Sequence, residues 1–131
     1  MKVVVTGGAG FIGSNLTDEL ARDHEVTVID NLSTGRIENL DHIRDRIQFI
    51  NGSILDLDLL RRAFAGADTV FHQAAIPSVQ RSVDNPIASN QANVDGTLNV
   101  LVAAKDSRVR KVVFASSSSV YGDTPTLPKK E

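Results

Sequence analysis

The chain has 131 residues, of which 41% are apolar, and a formal net charge of -2. This length fits one domain with its own core, and the charge argues against binding nucleic acid or a membrane surface through a basic face. Because the chain has no cysteine, we expect no disulfides, no metal site and a reducing compartment, the cytoplasm. No apolar run is long enough for a signal-peptide core at the start or for a membrane span.

The first half of the chain alternates short apolar runs with helical patterns. Strands are predicted at 2–6, at 25–30 and, from a weaker pattern, at 46–51. A helix at about 11–22 separates the first two strands, and a short turn near 37–43 precedes the third.

The second half continues the alternation, and the whole pattern predicts the fold. Helices are expected at about 56–65 and 85–105, and strands at 68–72 and 111–116. Valine- and isoleucine-rich runs that alternate with helices indicate a parallel sheet covered on both faces. Right-handed crossovers then predict five strands in the order 3-2-1-4-5, a doubly wound α/β fold of the Rossmann type.

The long helix predicted at 85–105 has unusual faces. Asn85 can cap it and Pro86 can take its first position. Two stripes are apolar or small, so the helix is expected to need more than one neighbour; they contain Ile87, Val94, Leu98 and Leu101 on one side and Ala88, Ala92 and Ala103 on the other. Gly96 costs about 1 kcal/mol relative to alanine inside a helix, which predicts close packing or a ligand there.

A glycine-rich stretch carries the first chemical signal. In "VVVTGGAGFIGSNL", Gly7, Gly10 and Gly13 follow a predicted strand and open a predicted helix. The early glycines permit a tight turn and a close approach of the backbone to a pyrophosphate, which free amides at the helix N-terminus stabilise. The last glycine allows close packing of helix and strand. The alternative is a glycine-rich turn that binds nothing.

Asp30 supplies the second signal. It ends the second predicted strand, 17 residues after Gly13, where a carboxylate can accept hydrogen bonds from an adenosine ribose. The same carboxylate repels the additional phosphate of NADP, and the nearest following arginine, Arg36, is six residues away. The pair of signals predicts NAD as the cofactor, with an ordinary strand-end aspartate as the alternative.

Five motifs in order make the chain resemble the extended short-chain dehydrogenase/reductase superfamily, and within it the nucleotide-sugar epimerases and dehydratases. They are "TGGAGFIGS" from Thr6, "DNLSTG" from Asp30, "FHQAA" from Phe71, "NVDGTLN" from Asn93 and "FASSSSVYGD" from Phe114. The resemblance covers essentially the whole chain and implies an NAD-binding Rossmann domain over residues 1–131.

The resemblance also implies the cofactor-binding residues. They are Gly7, Gly10, Phe11, Ile12, Gly13, Asp30, Asn31, Ser33, Thr34, Gly35, Ser53, Ile54, Ala74, Ala75, Asn93 and Ser116. Phe11 and Ile12 are expected by the pyrophosphate, and Asp30 with Asn31 at the adenosine ribose. The alanine pair is expected near the nicotinamide half, with Asn93 reaching the cofactor from the long helix. The chain departs from the family at Ser53, where relatives often have a carboxylate at the adenine edge, so a weaker adenine contact is expected.

Histidines are not expected to be catalytic. His72 lies in the strand-end motif, and we expect it to be structural and hydrogen-bonded near the cofactor. His24 and His42 are interpreted as surface residues.

The resemblance implies a catalytic role for one serine. In the family, hydride passes from a sugar carbon to NAD while a tyrosine takes the hydroxyl proton and a serine or threonine orients it; the matching serine is Ser117. The base belongs to a Tyr-x-x-x-Lys motif, yet Tyr121, the only tyrosine, is followed four positions later by Pro125. The chain is therefore interpreted as an incomplete portion, without the Tyr/Lys helix and the substrate domain, and inactive alone.

The reaction and the partners follow from the same resemblance. Ser118 and Ser119 stand where dehydratases and decarboxylases have carboxylates, which favours a 4-epimerase of UDP-sugars such as UDP-glucose. Alternatives are an NAD-dependent dehydratase or reductase, or a non-catalytic pairing module with the dinucleotide fold. Arg81 is either a ligand of the sugar or its phosphates or a solvated loop residue. A homo-oligomer is expected through the helix at 85–105 or the edge of strand 5.

Overall fold

Five parallel strands form one sheet in the computed structural model, which describes residues 1–122, 125 and 128. The strands are β1 (Lys2–Thr6), β2 (Glu25–Asp30), β3 (Ile47–Asn51), β4 (Thr69–His72) and β5 (Lys111–Phe114). Their order in the sheet, β3-β2-β1-β4-β5, confirms the doubly wound α/β fold predicted from the alternation of elements.

Helices cover both faces of this sheet. They are α1 (Phe11–Leu20), α2 (Leu57–Phe64), α3 (Val79–Asp84), α4 (Pro86–Asn90) and α5 (Gly96–Asp106), with a π-helical segment (Gln91–Asp95) joining α4 to α5 and 3₁₀ segments at Ile37–Arg46 and Ser118–Tyr121. Among the described residues, no helix combines the length and apolar character needed to cross a membrane.

Alternate residues of the central strands belong to two separate hydrophobic cores, one on each face of the sheet. Val3 and Val5 of β1 point to one face, where they pack with Leu40 and Ile43 of the 3₁₀ segment and with α1. Val4 points to the other face, where the core is formed with α2 and α5 by Leu60, Phe64, Val70, Val100 and Ala103. Burial on both faces explains why these strands read as continuous apolar runs rather than as an alternating pattern.

Several predicted boundaries were wrong by a few residues. The last strand ends at Phe114 and not at 116, the first helix ends at Leu20 and not at 22, and the turn near 37–43 extends to Arg46. The helix expected at 56–65 spans Leu57–Phe64, because Asp56 is its N-cap and its carboxylate accepts a hydrogen bond from the amide of Leu59 at 3.1 Å.

The segment before the long helix had no predicted element, apart from the alternative that Arg81 lies in a solvated loop. It contains α3, whose N-cap Ser78 accepts a hydrogen bond from the amide of Arg81 at 3.4 Å. Arg81 is therefore a helical residue. The serine that follows Pro77 was the available sequence signal for this helix start.

The long helix agrees with its predicted start and with its close packing at glycine. Asn85 caps α4 by accepting from the amide of Ala88 at 3.2 Å, and Pro86 follows as its first residue. A Cβ atom on Gly96 would overlap the Cδ1 atom of Ile54, so packing accounts for this glycine. The π-helical segment was not predicted, because periodicity cannot reveal one additional residue in a turn.

Candidate functional site

The predicted site residues gather at the carboxyl edge of the sheet. β1 lies between β2 and β4; the chain passes from β1 to β2 and β3 on one side, and then crosses from β3 to β4 on the other side of β1. Ligands of doubly wound sheets bind in the crevice at this reversal, outside the carboxyl ends of the strands. The glycine loop follows β1 here, Asp30 ends β2, and His72 ends β4.

The three glycines of the motif, Gly7, Gly10 and Gly13, differ in why a side chain is absent there. Gly7 has a φ of +73°, and a Cβ there would lie 2.7 Å from the backbone of Ala74. A Cβ on Gly13 would overlap the carbonyl oxygen of Gly7, so the start of α1 can lie against the loop only without a side chain. At Gly10 the nearest atom would be at 3.4 Å, which is ordinary contact. Packing therefore explains Gly7 and Gly13 but not Gly10.

The N-terminus of α1 is open to a ligand. Its N-cap is Gly10, which has no side chain to accept the helix's first amides, and no acidic residue lies in the first turn. The side chains of Phe11 and Ile12 are largely exposed. Free amides and the positive end of the helix dipole together make this a position that suits an anionic group.

Asp30 connects the glycine loop to the loop after β2. Its Oδ2 accepts from the amide of Ala9 at 2.9 Å, and its Oδ1 accepts from the amide of Leu32 at 2.8 Å. The residue is only 9% exposed. A carboxylate has about four acceptor positions, so roughly two remain for hydroxyl donors of a ligand.

The loop of residues 31–35 is built directly on the glycine loop. Asn31 shapes it by accepting from the amide of Ser33 at 3.1 Å, and a Cβ on Gly35 would lie 2.8 Å from the carbonyl carbon of Ala9. Ser33 and Thr34 are exposed and line a cleft of ≈ 270 Å³, which Ile76 and Arg81 also line. Of the predicted cofactor-binding residues, Ser33 and Thr34 thus share one cleft with Arg81.

Ser53 and Ile54 follow β3 at the same edge, but their side chains have internal partners. Ser53 Oγ accepts from the amide of Leu55 at 3.0 Å. Ile54 is buried under Gly96, and its carbonyl accepts from Asn99 Nδ2 at 3.1 Å. The groups left to contact a ligand at this position are chiefly backbone atoms.

Asn93 is also committed to the protein. Its Oδ1 accepts from the amide of Ile76 at 2.7 Å, and its Nδ2 donates to the carbonyl of Ile76 at 3.0 Å. This pair of bonds holds the segment after β4, which contains Ala74 and Ala75, against the π-helical segment. In the structure the Asn93 side chain bonds the backbone of Ile76. Its contact with a cofactor stays a prediction.

His72 is 2% exposed and hydrogen-bonded on both ring nitrogens. Nδ1 lies 2.6 Å from Thr6 Oγ1, Nε2 lies 2.9 Å from Thr97 Oγ1, and the ring stacks on Phe114 with centroids 5.9 Å apart. Burial lowers the pKa of His72 from 6.5 to about 4, so the ring is neutral near pH 7. These bonds agree with the structural role expected from the sequence. Of the two histidines interpreted as surface residues, His42 is exposed, whereas His24 is partly buried.

Thr6 and Thr97 were missed as parts of this site. The register of the sheet pairs Thr6 with His72, so the strand alignment contained a signal for the first contact. Thr97 comes from a helix packed across the strand ends, and no local pattern predicts that contact.

Ser116 and Ser117 follow β5 at the carboxyl edge. Ser117 is the N-cap of the 3₁₀ segment Ser118–Tyr121, and its Oγ accepts from the amide of Ser119 at 3.1 Å and donates to Ser119 Oγ at 3.1 Å. Both Ser116 and Ser117 are exposed. The Ser117 hydroxyl now caps a turn, and its role toward a substrate stays a prediction. Pro125 stands where the motif would have its lysine, four positions after Tyr121; residues 123, 124, 126 and 127 lie outside the described residues.

The glycine loop, the open helix N-terminus and the strand-end carboxylate at a reversal of strand order define a dinucleotide-binding doubly wound domain. The chain belongs to the NAD dependent epimerase/dehydratase family, which it matches over residues 3–131. Among curated relatives, the UDP-glucose 4-epimerase of Mycolicibacterium smegmatis is 46% identical over 137 residues, covering 100% of this chain and 44% of that protein.

Solved structures agree with this assignment. The UDP-N-acetylglucosamine 4-epimerase of Methanobrevibacter ruminantium, in complex with UDP-N-acetylmuramic acid, has a TM-score of 0.91 and 46% identity over 99% of this chain and 42% of its own. The UDP-glucose 4-epimerase of Thermus thermophilus, in complex with NAD, has a TM-score of 0.90 and 41% identity over 100% of this chain and 42% of its own. The chain therefore spans less than half the length of these relatives.

Proposed function

We propose that the chain is the NAD-binding portion of a UDP-sugar 4-epimerase that works by transient hydride transfer. The observation that carries the proposal is the Asp30 carboxylate, which lies at the mouth of the glycine loop and bonds the amides of Ala9 and Leu32. NAD, when bound, accepts a hydride from the sugar and returns it. The residues of this chain bind and orient the two ligands.

The residues present fit an NAD molecule at both phosphate and ribose. The free amides at the N-terminus of α1 would hold the pyrophosphate, where Gly10 allows close approach. The remaining acceptor positions of Asp30 would accept hydrogen bonds from the hydroxyls of the adenosine ribose. Asn31, Ser33 and Thr34 border the ribose side, and Ala74 and Ala75 border the nicotinamide side.

The cofactor preference tests this proposal. Calorimetric titration of the chain is expected to show saturable binding of NAD and much weaker binding of NADP, because the buried carboxylate of Asp30 repels the additional phosphate. Asp30→Asn is expected to weaken NAD binding by about tenfold and to reduce the discrimination between the two cofactors.

A matched control is available at Asp56. Its carboxylate also accepts from a backbone amide, but it caps α2 and lies outside the site. Asp56→Asn is expected to bind NAD like the parent chain. Equal binding of NAD and NADP by the parent, or no binding at all, would contradict the proposal and favour the pairing module.

Epimerisation is proposed over dehydration because of the residues that follow β5. Ser118 and Ser119 supply hydroxyls where an elimination reaction needs a carboxyl acid and base. In the proposed reaction Ser117 orients a sugar hydroxyl, and to donate to that hydroxyl the Ser117 proton must turn away from Ser119 Oγ. A dehydratase or a reductase is the alternative, and the family includes dehydratases.

The chain alone is expected not to convert UDP-glucose to UDP-galactose. Its single tyrosine, Tyr121, lacks a lysine four positions later, so the sequence does not contain the Tyr-x-x-x-Lys pair in which a cation lowers the pKa of the base. A coupled assay with added NAD measures this, and turnover above a no-protein control would overturn it. A cytoplasmic location belongs to the same proposal, and the lack of cysteine supports it.

A further inference from the structure

A series of side-chain hydrogen bonds lies at the carboxyl ends of the strands and connects three elements. Thr6 ends β1, His72 ends the neighbouring β4, and Thr97 lies in the first turn of α5. Thr97 Oγ1 also donates to the carbonyl of Asn93 at 2.7 Å, one helical turn back. The amide of Ala74 donates to Thr6 Oγ1 at 3.2 Å.

These contacts decide where the protons lie. Thr97 has one hydroxyl proton, and the Asn93 carbonyl accepts it, so toward the imidazole Thr97 can only accept. His72 must therefore carry its proton on Nε2, which leaves Nδ1 to accept from Thr6. With its proton on Nδ1, His72 would lose the bond to Thr97, because Nε2 would face an oxygen that offers no proton. Its bond to Thr6 would reverse, with Nδ1 donating, and the Thr6 hydroxyl proton would need another acceptor.

We propose that His72, held as the neutral Nε2–H tautomer, is a positioning residue that fixes the segment from Gln73 to Ile76 against the glycine loop. The consequence for NAD rests on the function proposed above. The tautomer and the position of the segment do not, since both belong to the cofactor-free chain.

The position of this segment sets one wall of the crevice. Thr6 holds its start, because the amide of Gln73 donates to the Thr6 carbonyl at 3.0 Å and the amide of Ala74 donates to the Thr6 hydroxyl. Asn93 holds its end through the two bonds to Ile76. A Cβ on Gly7 would lie 2.7 Å from the Ala74 backbone, so the segment occupies the space that a side chain at residue 7 would need.

Burial makes the arrangement specific. An imidazole that water does not reach cannot exchange a lost partner for a solvent bond, so one unsatisfied nitrogen is costly. The lowered pKa of His72 agrees with a ring that stays neutral. The stacked Phe114 of β5 limits rotation of the ring plane.

Nitrogen-15 NMR of the histidine rings in the cofactor-free chain tests the tautomer. His72 is expected to show a pyrrole-type Nε2 and a pyridine-type Nδ1 at pH 6.5, where an ordinary histidine is half protonated. A protonated Nδ1 at that pH, or a mixture of tautomers, would overturn the proposal.

Two variants of Thr97 test the positioning. Thr97→Val keeps the shape but removes the hydroxyl, and it is expected to mix the His72 tautomers and to speed hydrogen exchange of the Ala74 and Ile76 amides by about tenfold. NAD affinity is expected to fall by a similar factor. Thr97→Ser keeps the hydroxyl and is expected to restore all three readouts.

The outcomes separate this inference from the proposed function. Unchanged tautomer and amide exchange in Thr97→Val would refute the positioning role, whatever NAD does. Failure of the parent chain to bind NAD, with the tautomer and exchange results as expected, would refute the cofactor proposal and leave the positioning of the segment established.

Discussion

A side chain at Gly13 would overlap the Gly7 carbonyl oxygen, whereas one at Gly10 would make an ordinary contact at 3.4 Å. At the scale of single residues, Gly13→Ala is therefore expected to destabilise the chain by about 1 to 3 kcal/mol, because α1 must move off the loop. Gly10→Ala is expected to change stability by less than about 1 kcal/mol. Urea unfolding of the two variants measures the difference.

NAD titration of the same two proteins separates packing from ligand contact. Gly10→Ala is expected to weaken NAD binding while the fold persists, because the added methyl group would lie where the proposed pyrophosphate site meets the backbone. Equal stabilities of the two variants would show that the overlap at Gly13 relaxes without cost and would contradict the packing explanation.

His72 makes a second residue-scale prediction, which concerns pH. The folded chain does not protonate His72 until about pH 4, while the unfolded chain does so near 6.5, so between these values the unfolded state binds more protons. The free energy of unfolding therefore has its full value above pH 6.5 and decreases as the pH falls toward 4, by up to about 3 kcal/mol.

Urea unfolding at several pH values in this window measures the loss. His72→Gln does not titrate there, and its stability is expected to depend less on pH than that of the parent chain. Parallel pH profiles for the two proteins would show that other groups cause the slope.

At the scale of elements, the sequence predicted what local patterns encode. The buried strands gave continuous apolar runs, and Asn85 with Pro86 marked the start of the long helix, so these elements were found. The π-helical segment and the hydrogen bonds of Asn93 to Ile76 were not predicted, because both depend on how the long helix packs across the strand ends. The same limit applies to Thr97, whose partner His72 is 25 residues earlier.

At the scale of the whole molecule, the β5 edge of the sheet is less covered than its central strands. β1 and β2 are buried, but β5 lies at an edge where Phe114 is 54% exposed. The long helix has one covered stripe with Val100 and Ala103 and one uncovered stripe with Leu98, which is 59% exposed, and Leu101. An exposed apolar stripe and an open strand edge each favour association with another copy.

We therefore predict a concentration-dependent homo-oligomer in sedimentation velocity. Leu98→Glu is expected to shift the chain toward monomer, because association through this stripe would bury the new carboxylate. Val83→Glu is a matched control, since Val83 is also an exposed apolar residue but lies on α3. If Leu98→Glu still associates while substitution of Phe114 by glutamate does not, the strand edge is the interface; a parent chain that stays monomeric at high concentration would refute both.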